Sequence, residues 1–253
     1  ETPCVAVENT LGEELSLLQP SSIPRLLELA GKAFRLAETS LQIFTVAHIF
    51  TPPDEESQNL AFLFIQKNPS SLRSSPVLLL KSHITAIFRS ASYSPVFSLH
   101  TTPPPLAHPA QCAALLYLNH AVGELFTLHP DICTTFGLPT SSAAASVNLD
   151  TLFALPPEPN IFRPLPLYPH VSYDITLSRK HVSPPLQQIL EKARSASPLL
   201  IDLHVTDLFD GKPLKKGEYN VTLHCVYQDP TKTLTEEEAK KEHEKVTRML
   251  SST

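Results

Sequence analysis

The sequence predicts an α+β chain in two parts, each organised on an antiparallel sheet. Proline density marks the division: six prolines fall between residues 156 and 169, and a ring-locked φ with no amide donor keeps such a segment extended and non-helical. Beyond it, stretches alternating apolar and polar residues are separated by stretches of helical period, in the order βαββα. Before it, strand-like and helix-like runs are mixed. The expected division is residues 1–155, a proline-rich linker at 156–169, and a second domain at 170–253.

The second domain is the more legible. Val171, Tyr173, Ile175 and Leu177 alternate with Ser172, Asp174 and Thr176, which describes a half-buried strand. Ser183 then offers a helix N-cap with Pro184 in the first turn, and Leu186, Ile189, Leu190 and Ala193 make the apolar stripe. Ile201, Leu203 and Val205 alternate with Asp202, His204 and Thr206, and a third strand runs from Tyr219 through Val221, Leu223 and Cys225 to Tyr227. Thr235 with Glu238 reads as a capping box opening a last helix, whose buried stripe would be Ala239, Val246, Met249 and Leu250. One further strand would complete a ferredoxin-like split βαβ unit with both helices on one face. In the sheet order 4-1-3-2 its absence leaves residues 171–177 as an edge and residues 219–227 in the centre.

In the first part, residues 5–8 suggest a strand. Ser21 or Ser22 and Pro24 suggest a helix start before Leu26, Leu27, Ala30 and Phe34. Residues 41–50 and 60–66 read as strands and 77–90 as a helix. Residues 113–118 and 121–128 read as a hairpin turning at Asn119-His120. His129-Pro130 opens a short helix that ends at Gly137.

Composition narrows the function classes. A 42% hydrophobic and 18% charged content fits a folded chain. No apolar run approaches the roughly 20 residues of a membrane helix, so no membrane role is expected, and the start has no signal-peptide pattern. The first residue is Glu1 rather than a methionine, which suggests a piece of a longer chain. Cys4, Cys112, Cys133 and Cys225 form no CxxC pair, so a reduced cytoplasmic setting is expected. The net charge of −5 arises before residue 156, with 7 basic against 12 acidic residues there and 13 against 13 afterwards. A nucleic-acid surface is therefore sought in the second part.

Several segments resemble the β-subunit family of bacterial-type phenylalanyl-tRNA synthetase, in the family's order along nearly the whole chain. Asn9-Thr-Leu-Gly-Glu-Glu-Leu-Ser-Leu-Leu-Gln-Pro-Ser-Ser-Ile-Pro24, Leu41-Gln-Ile-Phe-Thr-Val-Ala-His-Ile-Phe50, His108-Pro109 and Val122-Gly-Glu-Leu-Phe-Thr-Leu-His-Pro130 are similar to landmarks of its synthetase-like core. Pro166-Leu-Tyr-Pro-His-Val-Ser-Tyr-Asp-Ile175, Asp207-Leu-Phe-Asp-Gly211 with Lys215-Lys-Gly217, and Lys232-Thr-Leu-Thr-Glu-Glu-Glu238 resemble its ferredoxin-fold anticodon-binding domain. Gln19, Thr45 and Tyr173 stand where that family commonly has arginine, glutamate and arginine. The resemblance implies a partial class II synthetase-like antiparallel core in inactive form, followed by an anticodon-binding domain of plan βαββα with its last strand missing. It also implies an α subunit in a heterotetramer of two α and two β chains, and tRNA for phenylalanine as a partner. ATP and magnesium are implied for the holoenzyme and no cofactor for this part.

No HExxH, GxSxG, P-loop or Cys/His ligand spacing is present, so neither a catalytic set nor a metal set is expected. The alternation places Ser172, Asp174, Thr176, Asp202, His204, Thr206, Asn220, Thr222 and His224 on the sheet face opposite the helices. Such a face suits solvent and equally supplies donors and acceptors to unstacked bases; the resemblance favours RNA. Tyr168 and Phe209 are the stacking candidates near the sheet ends, and Lys212, Lys215 and Lys216 the phosphate contacts. The expected RNA-binding set is therefore Tyr168, Ser172, Asp174, His204, Lys212, Lys215, Lys216, Asn220, Thr222 and His224. The alternatives are an amino-acid-sensing regulatory module of the same strand plan, and a structural paralogue that does not bind RNA.

Overall fold

A six-stranded antiparallel sheet organises the first unit, Glu1–Ile161, and a three-stranded sheet the second, Phe162–Thr253. The computed structural model describes residues 3–10, 12, 16–36, 40–67, 75–100, 102–162, 165–180 and 186–251. Among these, no helix is long and apolar enough to cross a membrane.

The large sheet contains β1 (Ser40–Thr51), β2 (Glu55–Gln66), β3 (Val96–Leu99), β4 (Ala107–Tyr117), β5 (His120–Leu128) and β6 (Ala143–Asn148), in the order β1-β2-β6-β5-β4-β3. Both faces of its centre are covered. Ala61, Leu63 and Ile65 pack with Leu26, Leu27 and Ala30 of α1 (Ile23–Ala33), and Phe62 and Phe64 with Leu80, Ile84 and Phe88 of α2 (Pro76–Ser90). That two-sided burial explains the unbroken apolar run at 60–65, since no residue of a doubly covered strand faces water.

Strands β3 and β6 were not expected from the sequence. Strand β6 is a run of alanines wedged between β2 and β5, a composition of low strand propensity that close packing on both sides overrides. Gly123 of β5 allows this approach: a Cβ there would lie 2.3 Å from the Ser146 carbonyl oxygen. Helix α4 (Leu149–Phe153) follows β6 directly, capped by the Asn148 side chain, which accepts from the Thr151 amide at 2.9 Å. Helix α3 (Pro130–Phe136) starts at His129 and ends at Gly137 as expected, with Gly137 at φ +66° in the left-handed region of a C-cap.

Two expectations in this unit need correction. The β4–β5 turn falls one residue earlier, on Leu118-Asn119, both at positive φ (48° and 65°), because that pair supplies the twist of a two-residue hairpin turn. Residues 5–8 make no strand; only an isolated bridge joins Ala6 to Leu17.

The second unit runs β7 (Val171–Lys180), α5 (Leu186–Arg194), β8 (Leu200–Phe209), β9 (Glu218–Tyr227) and α6 (Glu236–Ser251), with strand order β7-β9-β8. Strand β9 is central, and among the described residues β7 is an edge. One face carries the core: Leu203, Val221, Leu223, Cys225 and Tyr227 pack with Ile189 and Ala193 of α5 and with Val246 and Leu250 of α6. The capping box forms reciprocally, the Thr235 amide donating to Glu238 Oε2 (3.1 Å) and the Glu238 amide to Thr235 Oγ1 (3.3 Å). The expected Ser183 cap and Pro184 lie outside the described residues. Met249 is 39% exposed and not in the buried stripe.

Strand β8 departs from simple alternation twice. Extra residues at Ile201 and Thr206 interrupt its pairing with β9, so Leu200 rather than Ile201 meets the core and Asp207 rather than Thr206 stands opposite Thr222. Ile201 is 55% exposed as a result.

Candidate nucleic-acid interface

With α5 and α6 on one face of the small sheet, the other face stays polar and open. Its side chains form rows across β7, β9 and β8: Ser172, Val226 and Asp202; Asp174, His224 and His204; Thr176, Thr222 and Asp207; Ser178, Asn220 and Phe209. Hydrogen bonds run along these rows and, at one point, between them. His224 Nδ1 lies 2.6 Å from Asp174 Oδ1 and His204 Nδ1 lies 2.8 Å from Asp202 Oδ2. Thr176 and Thr222 hydroxyls are 3.1 Å apart, and Ser178 Oγ donates to Asn220 Oδ1 at 2.8 Å. Cross-strand contacts of this type hold side chains in fixed directions, which leaves an ordered array of donors and acceptors.

Most of the expected polar set is thus brought onto one surface: Ser172, Asp174, His204, Asn220, Thr222 and His224. Thr206 is displaced by the bulge, its hydroxyl donating to the Thr222 carbonyl at 3.1 Å. Asp207 takes its place, and no single-sequence pattern announces a bulge of this kind. Ser178 and Lys180 also belong to the face, because β7 continues past Leu177 to Lys180; the alternation itself, followed four residues past Thr176, would have included them.

The remaining candidates lie at opposite ends of the sheet. Lys212, Lys215 and Lys216 are exposed in the loop joining β8 to β9, beside the Lys180–Glu218 end of the β7–β9 pair. Phe209 enters that loop at 43% exposure, its ring resting on Gly211, where an added Cβ would meet Cζ at 3.0 Å. Tyr168 precedes β7 at the other end, its carbonyl accepting from Gln228 Nε2. Ten residues of β7 separate the two ends, about 30 Å at a strand rise of ~3.3 Å.

Beneath the face, burial holds the polar core groups neutral. It pushes the Tyr227 phenol far above its ordinary range and lowers His243. The phenol oxygen lies 3.1 Å from His243 Nδ1, and Tyr173 stacks on that imidazole with centroids 4.9 Å apart. Tyr173 therefore belongs to the core and not to the open face.

Two thiols of the first unit are held in their protonated form. Burial, followed by the Glu124 charge, pushes the Cys112 thiol to about 11, and burial takes Cys133 to about 11 as well. A thiol so raised is protonated at neutral pH and unreactive. Glu124 is itself raised by desolvation, with His100 Nε2 at 3.8 Å. Gln19 is engaged locally, Nε2 donating to the His48 carbonyl at 3.1 Å, and Thr45 pairs opposite Ala61.

A doubly clad antiparallel sheet followed by a ferredoxin-like module with an open polar face defines a two-part α+β protein with a candidate nucleic-acid-binding surface. Residues 1–149 match the family model described as the phenylalanyl tRNA synthetase beta chain CLM domain, and residues 166–253 match the ferredoxin-fold anticodon binding domain. The chain belongs to the phenylalanyl-tRNA synthetase β-chain family. It is similar to the phenylalanine–tRNA ligase beta subunits of Moorella thermoacetica (26% identical, over 97% of this chain and 32% of the relative) and Chlamydia caviae (25%, over 100% and 33%). A match to the Corynebacterium jeikeium subunit reaches 34% identity over 54% of this chain. The chain spans about a third of the length of the first two relatives. Neither match favours a regulatory amino-acid-sensing module.

Proposed function

We propose that this chain is the tRNA-binding and assembly portion of a phenylalanine–tRNA ligase β subunit, itself without catalytic residues. The observation that carries the reading is the ordered polar face of the small sheet, in a module of the anticodon-binding type, with a lysine-bearing loop at one end. Lys212, Lys215 and Lys216 supply phosphate contacts, whose free energy comes from released counterions. Ser172, Asp174, His204, Asn220, Thr222 and His224 present hydrogen-bonding groups to splayed bases, and Tyr168 and Phe209 offer stacking surfaces near opposite ends. Single-stranded anticodon bases suit such a face better than a duplex, whose base edges are hidden from a flat sheet.

The first unit serves assembly with an α subunit that carries the chemistry, in a complex of two α and two β chains in the cytoplasm. ATP and magnesium act in that complex, where phenylalanine is joined to its tRNA. The absence of nucleotide-binding motifs from the sequence supports a non-catalytic role. The isolated chain is expected to give no phenylalanine-dependent pyrophosphate exchange; turnover that survives removal of contaminating α subunit would overturn this role.

Fluorescence anisotropy with tRNA for phenylalanine tests the RNA surface. Replacing Lys212, Lys215 and Lys216 together by alanine should weaken binding and flatten the salt dependence by about 2–3 in slope. His204→Ala or His224→Ala should reduce preference for the cognate anticodon with little change in slope. Unchanged affinity in both sets would remove this face and loop as the RNA surface.

A further inference from the structure

Two imidazoles stand side by side on the open face. His204 and His224 are directly opposed on β8 and β9, with ring centroids 5.3 Å apart and planes tilted by 47°. Each turns Nδ1 to a carboxylate, His224 to Asp174 at 2.6 Å and His204 to Asp202 at 2.8 Å. An ionised carboxylate accepts only, so in both rings Nδ1 carries the proton. The neutral tautomer then bears its lone pair on Nε2, and two such lone pairs sit on adjacent strands. Both side chains are reachable from solvent, His204 at 52% and His224 at 31% exposure.

We propose that His204 and His224 form a two-histidine site for a first-row divalent transition ion, with Asp202 and Asp174 as the positioning residues behind them. Imidazole nitrogen suits zinc, copper and nickel. A carboxylate bonded to the far nitrogen is the usual device that fixes a ligating ring and raises its basicity. The two carboxylates also balance the ion's two positive charges while both rings remain neutral. At metal–nitrogen distances of ~2.0–2.1 Å the two Nε2 atoms must approach to about 3–3.5 Å. Among the described residues no three ligating groups converge on one point, and the aspartates are engaged on the Nδ1 side. Water, or a donor atom of another molecule, completes the coordination shell.

An isolated His–Asp pair on a solvated face is an ordinary surface contact of small energy. Two pairs, one on either side of a cross-strand His–His contact, constitute a built arrangement. No sequence motif announces it: the four residues are spread from Asp174 to His224, and none lies in a ligand-spacing motif. The site departs from the expectation that this chain holds no metal.

Calorimetric titration of the whole chain with Zn²⁺ alone and with Cu²⁺ alone, without RNA, tests the site. The expected result is saturable binding, tighter for Cu²⁺, with affinity reduced at least ~10-fold in His204→Ala and in His224→Ala. Asp174→Asn and Asp202→Asn should each reduce it by about 10–100-fold, the usual cost of losing such an outer partner. Copper EPR should report two nitrogen ligands at this site in the parent chain and one in either histidine variant. His108→Ala, elsewhere in the chain, should change neither readout. Unaltered affinity in a His204→Ala/His224→Ala double variant with a native circular-dichroism spectrum would overturn the site. Unaltered affinity in the asparagine variants would overturn the positioning role of the carboxylates. Loss of tRNA binding leaves both readouts unaffected, so this inference stands or falls apart from the RNA reading.

Discussion

In the large sheet, Leu63 packs with α1 and its neighbour Phe64 with α2; in the small sheet, Leu223 is buried while its neighbours Thr222 and His224 face outward. Strand geometry is the same in both, with successive side chains on opposite faces. The difference is the number of faces clad by helices. A sheet clad on both faces uses its centre for packing, and polar residues there are few: Asn59 Nδ2 donates to Ser146 Oγ at 2.8 Å, while its Oδ1 is buried without a hydrogen-bond partner among the described residues. A sheet clad on one face keeps a second surface, backed by the core and free to carry chemistry. The contrast accords with the proposed function, which puts recognition on the open face of the second unit.

The largest effects should come from breaking this symmetry of burial. Urea denaturation with a probe in each unit should show that Leu63→Ala and Phe64→Ala both destabilise the first unit, by about 2–5 and 3–5 kcal/mol. In the second unit Leu223→Ala should cost about 2–5 kcal/mol and Thr222→Ala less than about 1 kcal/mol. A near-neutral Phe64→Ala would mean that the second helical layer does not hold the large sheet.

A smaller effect sharpens the account of the small sheet. Thr235→Ala removes one half of the capping box of α6 and should cost about 1 kcal/mol, with Thr235→Ser restoring most of it. Equal loss in both variants would show that the methyl group, not the hydroxyl, matters there.

Two acids contrast the units by pH. Burial raises Glu124, so its folded form prefers to be protonated and stability falls as pH rises from its unfolded value near 4.5 through the folded one. Glu124→Gln should therefore raise the melting temperature of the first unit at pH 7 and leave it unchanged below about pH 4. Glu242 is the opposite case: hydrogen bonds from Lys245 and Ser197 lower its pKa. Its contribution is complete above about 4.5 and disappears as pH falls through the lower, folded value. Glu242→Gln should lower the second unit's melting temperature at pH 7, with the difference vanishing in acid. The same sign of effect in both variants at pH 7 would refute this assignment.

The finest distinction is between strands of one sheet. Hydrogen exchange along Val171–Lys180 should be faster than along Glu218–Tyr227, because β7 has β9 on one side only while β9 is paired on both. Equal, strong protection in a dilute monomer would indicate that the outer edge of β7 is covered.

Much of the second unit was legible from its residues alone. Val171 to Leu177 and Tyr219 to Tyr227 alternate with period two because one face is buried and the other wet, and that difference writes itself into the sequence. The Thr235–Glu238 box is legible because both of its hydrogen bonds lie within one helical turn. Double cladding hid β6, whose alanines carry no alternation to read. The bulges at Ile201 and Thr206 were hidden because the extra residue is defined only against the partner strand. The same holds for the candidate site. Period two determined that Asp174, His204 and His224 share a face. Only the register of β9 against β7 and β8 decided that His224 meets Asp174 and His204, since pairing across strands depends on contacts between residues 20 to 50 positions apart.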